Sequence, residues 1–208
     1  MVQHPTENHG SRAEAATAER SGLDEASQRL LLRVAGVGGF ALLTGLSAHV
    51  AIPLPPDGVP QTLQTLVVVL AALCLGPKLG SASMLLYLLI GVMGASVFAG
   101  GEAGFAKILG QSGGFLIGFL LCQPVITAFI RDRHGNVRGW GAMLAGILLG
   151  HFVIFGIGVP WLQAVRGFGF ERALQGGFYP FIPGMIVKTG LSLMIGLKVA
   201  PWAMRKVW

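Results

Sequence analysis

The chain has 208 residues, of which 53% are hydrophobic and only 12% charged, and its mean hydropathy is +0.68. Soluble domains carry about 25% charged residues, so this composition excludes an ordinary water-soluble domain and indicates an integral membrane protein. The net charge of +6 does not indicate a nucleic-acid partner, because Lys and Arg fall at the ends of apolar runs, where they act as topology signals.

In chain order, residues 1–28 are polar, with Glu7, Arg12, Glu14, Glu19, Arg20, Asp24 and Glu25 among alanines and serines. They lack the apolar core of a secretory signal and are expected to form a disordered cytoplasmic tail. Residues 29–208 form the membrane domain. A crossing needs roughly 20 apolar residues, and six stretches qualify: 30–50, 63–77, 79–98, 109–130, 140–162 and 181–201. The second is short, and a tight turn around Lys78 separates it from the third. The expected fold is all-α, a polytopic bundle of six transmembrane helices. Arg29, Arg33, Lys78, Arg131, Arg133, Arg138, Arg205 and Lys206 flank one face of this arrangement, against Lys107, Arg166 and Arg172 on the other. That bias puts both termini in the cytoplasm of a cell whose plasma membrane, in a bacterium the inner membrane, holds the protein.

The 32 glycines lie mostly within spans, where small residues let helices approach in lipid. On the first span, Ala35 with Gly39 and Ala41 with Gly45 are spaced four apart. They either pack inside the bundle or form a docking face for a separate membrane subunit. The first outer loop, Ile52 to Pro60, is proline-rich and stiff, and leads into Gln61, Thr62, Gln64 and Thr65. Those side chains either bind a polar ligand or cap a helix. A second outer loop, Val97-Phe-Ala-Gly-Gly101, precedes Gly110-Gln-Ser-Gly-Gly-Phe115; glycines there permit close backbone approach to a ligand. Trp161 ends the fifth span and is read as an interfacial anchor or a surface on which a ligand ring stacks. His151 is read as a packing histidine.

Lys188 is the most informative residue. It lies in the last apolar stretch, which has no acidic residue, and a lysine at a helix centre costs about 2.5–3.5 kcal/mol on insertion scales. Low dielectric disfavours the ammonium unless a negative group or water meets it. With no carboxylate of the chain evident at membrane depth, a ligand carrying one is expected.

Seven segments in register resemble one family: Val59-Pro-Gln-Thr-Leu-Gln-Thr-Leu66, Leu75-Gly-Pro-Lys-Leu-Gly80, Tyr87-Leu, Val97-Phe-Ala-Gly-Gly101, Gly110-Gln-Ser-Gly-Gly-Phe115, Gly158-x-x-Trp-Leu162 and Pro180-Phe-x-Pro-Gly-x-x-x-Lys188. Together they look like the BioY family, the biotin-binding S components of energy-coupling-factor (ECF) transporters. The resemblance implies a six-helix protein that captures biotin from outside, with an ECF transmembrane subunit and two cytoplasmic ATPase subunits as partners. It implies that Lys188 pairs with the valeryl carboxylate of biotin. It also implies that Thr62, Gln64 and the segment Phe98, Gly100, Gly101 serve the lid and pocket, with Trp161 and Met185 as further substrate-site positions. The family's last motif carries aspartate three residues before the lysine, where Met185 stands here, and its GPTGG reads Gly110-Gln-Ser-Gly-Gly114. The alternative is therefore a stand-alone or ECF-linked transporter of a biotin relative or another small carboxylate vitamin.

Other classes fare worse. Proton- or sodium-coupled transporters place acidic residues in their spans, and the expected spans here have none. An enzyme would need a metal cluster, a carboxylate pair or a nucleophile beside a base; the five histidines have no ligand-like spacing and no P-loop motif is present. No catalytic residue, metal or cofactor is expected, and biotin enters only as the transported ligand. The two cysteines, Cys74 and Cys122, are expected as packing residues.

Overall fold

The computed structural model describes the backbone of residues 8–54, 58–132 and 136–208, and side chains from Asp24 onward. Pro55, Pro56 and Asp57 of the proline-rich loop, and Arg133 among the expected topology charges, lie outside the described residues. The first helix, α1, runs Asn8–Ala48. It includes residues 8–28, whose alanines, glutamates and arginines are good helix formers. A two-residue antiparallel pair follows, β1 (Ala51–Ile52) with β2 (Gln61–Thr62), in the register Ala51 to Thr62 and Ile52 to Gln61.

Helix α2 spans Gln64–Val92 but breaks at Gly76, whose φ of 76° and ψ of −174° suit glycine alone. Pro77 follows and removes a backbone donor. Gln64 Nε2 donates to Tyr87 Oη at 2.7 Å although 23 residues separate them, so the two limbs lie side by side and antiparallel. The reversal expected around Lys78 falls at Gly76–Pro77. A Cβ on Gly76 would meet the Trp208 indole at 2.7 Å, which seals the bend.

The remaining elements are a short α3 (Phe105–Leu109), α4 (Gly113–Ile130), α5 (Trp140–Arg166), α6 (Phe170–Gly177), a 3-10 turn (Tyr179–Phe181) and α7 (Ile182–Lys206). Among the described residues, five helical stretches are long and apolar enough to cross a membrane: 24–48, 64–92, 113–130, 140–166 and 170–206. The protein is therefore mostly helical and multi-pass in character.

Glycines fit α4 to α5. Gly118 faces the backbone of Ile154, Gly146 faces the carbonyl of Ile126, and Gly158 accommodates the Phe115 ring. On α5 the expected packing role is realised at Gly146, Gly150 and Gly158, whereas Gly141 and Gly156 have open space beside them. On α1, Gly45 is buried against Val97 and Ala41 is buried in the core, whereas Ala35 is exposed and Gly39 has open space beside it. The two small-residue pairs therefore face different ways.

One end of the body is tied together by basic and aromatic groups. Arg33 donates to the carbonyls of Val207 and Trp208 at 2.9 and 3.1 Å. The Trp208 indole donates to Cys74 O at 3.2 Å, and the Arg131 guanidinium lies 5.9 Å from the Trp208 ring. β1, β2, α3 and the Phe98 loop lie at the other end of the α2 hairpin, beside Gln64 and Tyr87.

Candidate functional site

The short β1–β2 pair sets Thr62 at the mouth of α2, where polar side chains interlock. Thr62 Oγ1 donates to Gln64 Oε1 at 3.1 Å, and Gln64 Nε2 donates to Tyr87 Oη at 2.7 Å and to Thr44 O at 3.3 Å. Both limbs of α2 and the end of α1 are joined by this one glutamine. Lys188 reaches the same network from α7: its Nζ donates to Thr62 O at 2.7 Å and to Thr65 Oγ1 at 3.0 Å. Its surface is 7% exposed. Among the described residues no carboxylate pairs with it. The ammonium thus has neutral chain acceptors for two of its three N–H bonds, and its charge is not balanced.

The Phe98 loop closes over this network. Gly100 and Gly101 have φ of 81° and 71°, a conformation open to glycine, and the resulting turn sets Phe98 opposite Glu102, with Phe98 N donating to Glu102 O at 3.1 Å. Phe98 is fully buried and meets Tyr87 edge-on, with ring centroids 5.6 Å apart. Gly91 leaves room for the tip of that ring.

Val59, Thr62, Gln64, Thr65, Phe98 and Lys107 line a cavity of about 40 Å³, which Ser112 and an aromatic group complete. In that group Phe115 stacks on Phe181 at 6.2 Å, and Phe155 meets both rings edge-on at 6.0 and 5.5 Å. The wall is apolar with a few placed polar groups, as ligand sites usually are. Its volume suits a water or two, whereas ligand sites commonly reach about 300 Å³ or more. A ring-bearing ligand would require this wall to part.

Of the expected site residues, Thr62, Gln64 and Phe98 line the cavity. Lys188 stands directly behind the wall, bonded to Thr62 and Thr65. Gly100 and Gly101 shape the covering turn without lining the cavity. Trp161 lies elsewhere: its Nε1 donates to Gly110 O at 2.9 Å, and its side chain fills the space left by Gly113 and Gly114. Met185 lines a separate, apolar groove of about 380 Å³ beside His151 and Phe152. His151 Nδ1 lies 3.0 Å from Ile147 O, consistent with the packing role expected of it.

Sequence reading missed Lys107 and Ser112. Lys107, by its position an outer-face charge, lines the cavity, 8% exposed, with its Nζ 2.9 Å from a Glu102 carboxylate oxygen. An isolated lysine in the apolar run Phe105-Ala-Lys-Ile-Leu109, five residues after Glu102, was the available signal.

The position of Trp161 has a measurable consequence. Trp161→Phe keeps an aromatic ring but loses the bond to Gly110 O. It is expected to lower unfolding stability by about 1–2 kcal/mol while changing ligand affinity by less than about threefold. Thermal unfolding and equilibrium binding in detergent check this; a large affinity loss at unchanged stability would restore Trp161 to the ligand site.

The fold defines a multi-pass helical membrane protein with a small, mostly apolar cavity that Lys107 lines and Lys188 adjoins through Thr62 and Thr65. Residues 18–205 match the BioY family, and the chain belongs to that family. A protein described as "Probable biotin transporter BioY" from Pyrococcus horikoshii is 40% identical over 156 residues, covering 75% of this chain and 88% of that protein. "Biotin transporter BioY" of Thermotoga maritima is 33% identical over 162 residues, covering 78% and 92%. The crystal structure of the S-component for biotin from an ECF-type ABC transporter superposes with a TM-score of 0.75 at 26% identity, covering 81% of this chain and 90% of that one.

Proposed function

We propose that this protein is the substrate-capture subunit for biotin uptake. Biotin would bind in the cavity between β2, the Phe98 loop, α4 and α5, with its acid group drawn to Lys188. The observation that carries the reading is the unbalanced ammonium of Lys188, bonded only to neutral oxygens of Thr62 and Thr65, two residues that line the cavity together with its aromatic rings. The names of the related proteins support biotin as the ligand, and they point to transport rather than catalysis.

In this reading the α2 hairpin supplies two crossings, giving six spans in all. The end that gathers Arg33, Arg131 and Trp208 would face the cytoplasm together with both termini, in a bacterial inner membrane. The cavity would then open outward. An ECF transmembrane subunit and two ATPase subunits would supply the energy for release, and the exposed Ala35 and half-buried Gly39 of α1, the latter with open space beside it, suit close contact with the membrane subunit.

Equilibrium binding to purified protein tests the function. Biotin is expected to bind tightly, and biotin methyl ester about a hundredfold more weakly, because the ester leaves the buried charge unmet. Equal affinity for acid and ester would reject the role of Lys188. No affinity for biotin beside a strong response to desthiobiotin would assign the site to a biotin relative.

A further inference from the structure

The cavity has a second polar pole, and its charge differs from that at Lys188. Lys107, buried on α3, lines the wall and is ion-paired at 2.9 Å with Glu102; the lysine side chain is 7% exposed and the glutamate side chain 58%. Ser112, at the start of α4, lines the same cavity, and its buried Oγ has no hydrogen-bond partner. Buried polar groups rarely go unpartnered, and leaving one so costs about 1–3 kcal/mol. A hydroxyl and an ammonium lining one cavity are donors awaiting an acceptor.

The identity of that acceptor follows from charge. At Lys188 the cation faces only neutral oxygens, so an anion arriving there neutralises it. At Lys107 the charge is already balanced by Glu102. A second carboxylate would bring two anions to one cation, and like charges at that range repel. An uncharged carbonyl oxygen accepts from Lys107 and Ser112 without disturbing the balance.

We propose that Lys107 and Ser112 form the subsite for the ureido carbonyl oxygen of the ligand, with Glu102 keeping that pole electrically neutral. This rests on the biotin reading and deepens it: one pole takes the anionic end of the ligand and the other takes its uncharged polar end. The pairing explains why a site for a monoanion holds two buried lysines, since only one of them is left unbalanced.

The test is a set of affinities for biotin, biotin methyl ester and 2-thiobiotin, measured by titration calorimetry on the parent, Lys107→Met and Ser112→Ala proteins. The thiocarbonyl is a poor acceptor, so the parent is expected to bind 2-thiobiotin about tenfold more weakly than biotin. Lys107→Met is expected to weaken biotin and its methyl ester alike by about tenfold, and to narrow the gap between biotin and 2-thiobiotin. Ser112→Ala should do the same by about threefold to tenfold. Should Lys107→Met fail to give a folded protein, Ser112→Ala, which removes one oxygen, decides the matter alone.

Unchanged biotin affinity in these variants would overturn the subsite while leaving biotin capture intact. Loss of acid-over-ester preference in Lys107→Met would also overturn it, by placing the carboxylate at Lys107. A parent protein that binds no biotin would defeat the functional reading, and this subsite with it.

Discussion

Lys188→Met is expected to remove high-affinity biotin binding, by about a hundredfold or more, while the protein still inserts and unfolds within a few degrees of the parent. The binding loss follows from charge. A charge-assisted hydrogen bond is worth about 1.5–3 kcal/mol, and tenfold in affinity is about 1.4 kcal/mol. A carboxylate that meets methionine at the same depth loses that bond and keeps its desolvation penalty. The stability argument has two opposed parts. Removing the ammonium strands Thr62 O and Thr65 Oγ1, which now accept from Nζ at 2.7 and 3.0 Å, and stranded acceptors cost about 1–3 kcal/mol. Against this, replacing a buried charge by an apolar side chain of similar length relieves a desolvation cost of several kcal/mol. The net effect on folding is therefore small, and the loss in binding is not. Titration calorimetry beside thermal unfolding separates the two. If binding and stability collapsed together, Lys188 would be a structural tie between α7 and β2, and the capture mechanism would lose its cation.

Hydropathy made most of the framework legible, because span length and apolar content are written directly into 109–130, 140–162 and 181–201. It also located the reversal in α2, since Gly76–Pro77 interrupts an otherwise apolar run. It was less informative at the ends of the spans. The third span was expected to continue to Phe98, yet α2 stops at Val92, because Gly94 takes a φ of 106° and frees the chain to build the covering loop. Charged side chains were the harder problem. Lys188 stood out because nothing acidic surrounds it in sequence. Lys107 did not, because a lysine beside a glycine-rich loop resembles a topology signal, and only the fold shows that the turn at Gly100–Gly101 brings Glu102 onto it. Trp161 illustrates the opposite limit. An aromatic residue at a span boundary is equally compatible with lipid, ligand or helix packing, and its bond to Gly110 O depends on how α4 and α5 pair, which no local pattern encodes.

That pairing predicts the largest stability effect. Gly118→Leu is expected to destabilise the protein by about 3 kcal/mol or more and to abolish ligand binding through loss of the cavity, whereas Gly141→Leu should leave both nearly unchanged. A Cβ at position 118 would lie 2.8 Å from Ile154 Cα and 3.2 Å from Ile154 O. These are backbone atoms of a facing helix, so no rotamer change relieves the contact, and α4 must separate from α5. Lipid does not offset such a separation, because helix association in the bilayer depends on packing rather than on hydrophobic burial, and overpacking a filled core commonly costs about 1–3 kcal/mol, sometimes more. The damage would reach the cavity directly, since Phe115 of α4 and Phe155 of α5 form its aromatic wall and lie 6.0 Å apart. Gly141 is the matched control: it lies on α5, and a Cβ there meets nothing within 4 Å. Thermal unfolding of both variants in the same detergent, followed by biotin titration, checks the contrast. A Gly118→Leu protein as stable as the parent would mean that α4 and α5 do not meet through this seam, and the arrangement of the cavity wall would have to be redrawn.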